Sequence, residues 1–327
     1  MNKRNTFLLI LLVAQAALFG ALSLPGRDTA PQRVSLLAGI TPNTVVALEV
    51  ADAEGKTIRL EKREAFWVLA SQENLPVEPK RIEETLDKLV GLASNQLVTR
   101  TNESHGRFLV AEKRFRQRLT LSMADGSKKI LFLGSSPTYK TTHVRADGDQ
   151  RIYLVRDFSS LDVPLNPQAW WKSGYVDQPE EQLTRIHITN SHGGITLTRQ
   201  AGGKWEMTEP RNGGTPDPAR VQALVDRVRR VMLTEYLGQE EKEEYGLKTP
   251  SATLTLSGTG GETVLRVGTT EQATNSLVIK SSTSPYYART AKVMLAGILD
   301  ATAEALVMGA PMEDSKPLPA TEHPQNL

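Results

Sequence analysis

Two stretches of this chain, Thr44–Phe158 and Leu183–Val293, carry the same features in the same order. A unit written twice constrains a fold more than any single motif, because each copy must bury its own apolar face. Each copy opens on two alternating apolar–polar strands, Val45–Val50 with Thr57–Lys62 and Arg185–Thr189 with Gly194–Arg199. The tips between them, Ala53–Gly55 and Ser191–Gly194, are turn-forming, as a hairpin requires. A tryptophan follows in a third short strand, Trp67 in Phe66–Leu69 and Trp205 in Lys204–Met207, and both are expected in the core. Then Pro-x-Arg opens a helix, at Pro79-Lys80-Arg81 and at Pro218-Ala219-Arg220, where the missing proline N–H costs nothing. Ile82, Leu86, Leu89, Val90 and Ala93 form one helical stripe; Val221, Leu224, Val225, Val228 and Met232 form the other.

After each helix come a polar connector and a short aromatic–apolar turn, Gly106–Val110 and Glu244–Leu247. A hairpin follows, Arg118–Met123 with Lys129–Leu133 and Ala252–Leu256 with Thr263–Val267, running into Gly134-Ser135 and Gly268-Thr269. A last strand pair closes each copy, His143–Ala146 with Ile152–Val155 and Leu277–Lys280 with Tyr286–Arg289. The expected fold class is α+β, a tandem duplication of a mostly antiparallel sheet with one helix packed across it. The domain plan is residues 1–25 as anchor or signal, 44–158 as the first repeat, 159–182 as connector, 183–308 as the second repeat with a terminal helix over Val293–Met308, and 309–327 as a disordered tail poor in apolar residues.

Phe7–Leu24 is uncharged and about 18 residues long, preceded by Lys3 and Arg4. That length and flank predict a single-pass inner-membrane helix with a cytoplasmic N-terminus and a periplasmic body. A cleaved signal peptide, with Ala21 and Ser23 near its end, is the alternative, and both export the rest. The chain has no cysteine, which excludes disulfides, thiolate metal sites and cysteine nucleophiles, so an exported body takes its stability from packing. With 39 Lys+Arg against 37 Asp+Glu over 327 residues, the charge balance argues against nucleic acid as a partner.

The order of motifs resembles the bacterial domain-of-unknown-function 4340 family, best in the second copy. Trp205, Pro218, Tyr245-Gly246-Leu247-Lys248-Thr249-Pro250, Leu265-Arg266-Val267-Gly268 and Tyr286-Tyr287-Ala288-Arg289 carry the likeness. The first copy departs at Phe108-Leu109-Val110, which lacks the glycine and the proline, so a different turn is expected there. The resemblance implies a membrane-anchored accessory protein working beside an ABC-type permease and an auxiliary membrane subunit. It transfers no catalytic residue.

The residues themselves give little chemistry. Of the five histidines only His187 and His192 are close in sequence, on a strand and its tip, with no metal-binding spacing, and neither metal nor cofactor is expected. Asp147-Gly148-Asp149 begins like a calcium loop but has Phe158 where the closing glutamate belongs. No nucleophile elbow occurs, and Ser104-His105 are adjacent, which turns their side chains apart. The candidate contact residues are Trp170, Trp171 and Tyr175 in the connector, since aromatics concentrate where proteins meet partners. The expected function is non-enzymatic, by protein–protein contact through sheet faces or edges. The alternative is a binding module for an envelope polymer or lipid in a cleft between the repeats, lined by the same three aromatics.

Overall fold

The computed structural model describes residues 12–15, 33–208, 214–271 and 274–309. The apolar run Phe7–Leu24 lies outside them apart from residues 12–15, as does the tail beyond 309. Among the described residues no helix is long and apolar enough to cross a membrane. The chain divides into two compact units: residues up to Gln72 with Pro79–Trp170, and Glu73–Glu78 with everything from Trp171 onward.

The sheet of the first unit is built from β1 (Val45–Asp52), β2 (Thr57–Arg63), β3 (Phe66–Leu69), β4 (Leu97–Thr99), β5 (Gln117–Met123), β6 (Lys128–Leu133), β7 (Thr141–Ala146) and β8 (Ile152–Arg156). They lie side by side as β3-β2-β1-β5-β6-β7-β8-β4, antiparallel at each of these pairings. In the second unit β9 (Leu183–Asn190), β10 (Gly193–Arg199), β11 (Trp205–Met207), β12 (Glu235–Tyr236), β13 (Ala252–Gly258), β14 (Gly261–Glu271), β15 (Ser276–Ser281) and β16 (Tyr287–Ala291) run in the order β11-β10-β9-β13-β14-β15-β16-β12. The two orders are the same. Both sheets have one helix in the same chain position, α1 (Pro79–Val90) and α2 (Pro218–Val228), giving mostly antiparallel sheet with few helices.

Alternation explains the strands. In β5 every second side chain, Gln117, Leu119, Leu121 and Met123, is buried, and β13 buries Ala252, Leu254 and Leu256 in the same rhythm. Strands β7 and β15 are instead buried on both faces. In β15 Leu277 and Ile279 enter the main core of the second unit while Val278 meets a separate cluster with Tyr245, Leu247 and Tyr287. A matching cluster of Val110, Phe132 and Ile152 covers the first sheet.

Asp217 accepts hydrogen bonds from the amides of Ala219 (2.9 Å) and Arg220 (3.4 Å), and Pro218 occupies the first turn, so α2 starts where its free N–H groups have a partner. It buries Val221, Leu224, Val225 and Val228, each worth about 1.5–3 kcal/mol of transfer out of water. Its expected stripe ends there. Met232 is 40% exposed, because the chain leaves the helix for a short strand, Arg230–Met232. Ala93 likewise lies beyond α1, in the strand Ala93–Ser94. The arginine of each Pro-x-Arg reaches the segment that follows the last long strand of its own unit. Arg81 donates to the carbonyls of Leu161 (3.4 Å) and Asp162 (3.3 Å), and Arg220 to that of Ala305 (3.1 Å).

Three further expectations need correction. Trp67 is half-buried, whereas Trp205 is buried at 6% exposure and donates its indole N–H to Glu180 at 3.0 Å. The helix expected over Val293–Met308 is a succession of short turns, Lys292–Leu295, Ala296–Leu299 and Glu304–Leu306. The side-chain amide of Asn190 donates to the carbonyls of Ile298 (2.8 Å) and Ala301 (2.9 Å), groups a continuous helix would need for itself.

The third concerns the turn at Phe108-Leu109-Val110, which is the same turn as Tyr245-Gly246-Leu247. Leu109 has φ 59° and Gly246 φ 64°, both left-handed. The difference lies in the neighbour. A Cβ on Gly246 would stand 2.3 Å from Thr269 Cγ2, and the residue in the place of Thr269 is Ser135, which has no such methyl. The first unit therefore accommodates a side chain where the second requires glycine, at the cost of a strained backbone. Ser135→Thr is expected to destabilise the first unit by about 1–2 kcal/mol through the clash with Leu109, and Leu109→Gly to recover most of that in the double variant. Urea denaturation of the four proteins of the cycle checks it; additive effects would break the link between the two positions.

Candidate functional site

The three connector aromatics are tied into their own units. Trp170, in the first unit, is fully buried; its indole N–H donates to the carbonyl of Pro164 at 2.8 Å and the Arg81 guanidinium lies 5.5 Å over the ring. Trp171 and Tyr175 belong to the second unit. Trp171 is half-buried and packs edge-on against Tyr236 at 5.4 Å, which in turn meets Tyr286 at 5.6 Å. The Tyr175 hydroxyl donates to the carbonyl of Tyr286 (2.6 Å) and accepts from the amide of Ser281 (3.0 Å). Burial pushes the phenols of Tyr175 and Tyr236 above their ordinary range, so both stay neutral donors. None of the three presents an exposed ring.

A more open site lies at the free end of the second sheet, where β11 has no strand beside it other than β10 among the described residues. The register fixes which of its main-chain groups face away from β10. The carbonyl of Lys204 accepts from Gln200 (2.8 Å) and the amide of Thr208 donates to Thr196 (3.0 Å), so the even-numbered residues face β10. Trp205 and Met207, one residue out of step, turn their N–H and C=O groups to the open side. Their side chains, with Pro216, Pro218 and Gln222, line a groove of about 460 Å³ between β11 and the start of α2. Glu180 fixes two of these side chains, accepting from the Trp205 indole at 3.0 Å and from the Gln222 amide at 3.1 Å. Lys204 and Glu206 stand exposed at the rim. Free strand groups beside an apolar groove are the two elements by which an extended peptide is held.

A family model, described as a domain of unknown function (DUF4340), matches residues 67–250, more than half of the chain. The chain belongs to the DUF4340 family. No curated protein and no solved structure matches it. The DUF4340 match runs from Trp67 on β3 of the first unit to Pro250, just before β13 of the second, and takes in β11, α2 and the groove. The edge was legible only in part: Trp205 and Pro218 are visible as motif residues, but which peptide groups face outward depends on pairing with β10.

Elsewhere in this DUF4340 chain one serine and one histidine meet. His143 Nδ1 lies 2.9 Å from the Ser135 carbonyl and 3.0 Å from its Oγ, with the Phe108 ring tilted against the imidazole at 4.5 Å. Burial lowers the His143 pKa, favouring the neutral ring, with the Ser135 carbonyl pulling the other way. Donation from Nδ1–H to that carbonyl leaves Nδ1 unable to accept the Ser135 proton, so the pair is built to hold the turn rather than to activate a nucleophile. His187 bonds Thr196 and Thr189, and His105 the carbonyl of Gln150. Among the described residues no group of three His, Asp or Glu could hold a metal ion.

Proposed function

We propose that this protein is a non-enzymatic accessory component of an ABC-type transport or envelope-remodelling system, two tandem copies of one scaffold held at the inner membrane by the N-terminal apolar run and working by protein contact. The observation that carries the reading is the groove at β11. Outward-facing main-chain groups at Trp205 and Met207 stand beside an apolar trough, two of whose side chains, Trp205 and Gln222, Glu180 fixes in advance. An extended segment of a membrane partner would pair with that edge and set alternate side chains into the trough, at little ordering cost to the protein. The motif resemblance supplies the class of partner, a permease or its auxiliary subunit.

The test is a photo-crosslinking amino acid placed at exposed Glu206 in the full chain, in membranes of the source cell. Capture of an integral-membrane transporter subunit from position 206, and not from exposed Glu262 four strands along the sheet, is the expected result. Equal capture from both positions, or capture of no membrane protein, overturns it.

A further inference from the structure

The first unit has a second cavity of about 460 Å³, formed where the loop before β7 meets the segment after β8. Lys88, Arg116 and Lys140 line it, with Asp157 and Asp162. Lys88 is spent on Asp162, 2.7 Å away. The Arg116 guanidinium and the Lys140 ammonium have no carboxylate partner among the described residues; Lys140 lies 5.6 Å over the Tyr139 ring. Asp157 likewise has no cation partner there, although two unpaired cations share its cavity. The lining thus offers two free positive groups and one free acceptor. Tyr139 and Leu161, at 83% and 75% exposure, stand on the same cavity.

The backbone marks the place as well. Lys140 (φ 52°) and Asp157 (φ 59°) are both left-handed, and the Asp157 amide donates to the Lys140 carbonyl at 2.8 Å. In the second unit Asn275 fills the place of Lys140, with φ 49° and the same bond from Lys292 at 3.0 Å. Asparagine adopts this conformation at small cost and lysine does not, so the first unit keeps a cation where the backbone favours another residue.

We propose that this cavity binds a phosphate ester of a small polyol, the chemistry of a glycerophosphate group. Arg116 and Lys140 take the phosphate by charge-assisted hydrogen bonds, and Asp157 accepts from the polyol hydroxyls, a pairing bare phosphate cannot offer so well. The site is independent of the groove at β11.

Because the chain has no cysteine, Ser136→Cys at the cavity gives a single labelling point for an environment-sensitive fluorophore. The full chain is placed in phosphatidylcholine nanodiscs and titrated with sn-glycerol 3-phosphate and with inorganic phosphate. The expected result is a saturable response at least about tenfold tighter for the ester. In the same labelled background, Arg116→Gln with Lys140→Gln is expected to weaken it about tenfold or more, and Asp157→Asn, which keeps the left-handed backbone, to bring the two probes together. Adding phosphatidylglycerol to the nanodiscs separates the sources. A response reversed by soluble ester identifies a lipid headgroup, and a response to the soluble ester alone identifies a free one; both uphold the site. No saturable response to ester or lipid, or equal affinity for both soluble probes with no effect of Asp157→Asn, overturns the proposal. Variants at Lys204 and Glu206 are expected to leave this response unchanged, which separates its failure from that of the groove.

Discussion

Gly268→Ala will cost the second unit about 3 kcal/mol or more, and Gly134→Ala will do the same to the first. A Cβ built on Gly268 falls 1.9 Å from the carbonyl oxygen of Tyr245, and one on Gly134 falls 2.0 Å from that of Phe108 and 2.7 Å from Val110 Cγ1. Neither carbonyl can swing aside like the end of a flexible side chain. The Phe108 carbonyl accepts the Ser135 amide at 3.0 Å, and each turn is anchored by its buried third residue, Val110 or Leu247. Relief would require lifting the whole turn, with the clusters of Tyr245, Leu247, Val278 and Tyr287 or of Val110, Phe132 and Ile152. Gly260→Ala is the control: no atom lies within 4 Å of a Cβ there, and the expected change is within about 0.5 kcal/mol. Urea denaturation with hydrogen exchange read on β13–β16 or β5–β8 assigns each loss to its unit. A Gly268→Ala protein as stable as the Gly260→Ala control would show that the turn is not pinned to the sheet.

The same glycine shows how far the sequence could be read. Leu-x-Val-Gly followed by a strand is visible as a pattern, and the alternation in Gln117–Met123 and Ala252–Leu256 is enough to place strands and their buried face. Period-2 burial is local, so local residues report it. What escaped depends on partners far along the chain. Strands β4 and β12, only three and two residues long, exist because β8 and β16 offer them an edge, and no run that short carries a periodic signal. The left-handed Leu109 was unreadable because its licence is the missing methyl of Ser135, 26 residues on. Trp170 and Trp171 look alike in sequence, yet one packs under Arg81 and the other against Tyr236. The site divides in the same way. Trp205 and Pro218 stand out as motif residues, whereas the outward-facing peptide groups of β11, and an Arg116 and Lys140 with no carboxylate partner among the described residues, follow only from pairing and packing.

Arg145→Met is expected to destabilise the first unit by about 3 kcal/mol, although methionine fills most of the volume. Arg145 on β7 is 4% exposed and pairs with no carboxylate among the described residues. Its charge is held by carbonyls: Nε donates to Val110 at 2.8 Å, and one Nη to Asp149 at 3.1 Å and to Ala146 at 3.3 Å, with the Phe132 ring 4.6 Å from the guanidinium carbon. Burial pushes its pKa down, while Asp147, Glu112 and Asp149 pull it up from a distance. Removing the donors leaves the buried Val110 carbonyl without its side-chain partner, at the turn that Gly134 also receives. The second unit has already made a milder substitution. Register places Lys280 where Arg145 stands, its ammonium 5.3 Å over Tyr287 and donating to the carbonyls of Ser281 (3.1 Å) and Ser284. An ammonium serves the adjacent carbonyls but lacks the planar fork that joins the turn to the β7–β8 loop. Arg145→Lys should therefore recover about half of the loss, measured by urea denaturation with exchange read at Val110 and Asp149. If methionine proves as stable as arginine, water satisfies those carbonyls, and the cation is not what fastens the turn to the sheet.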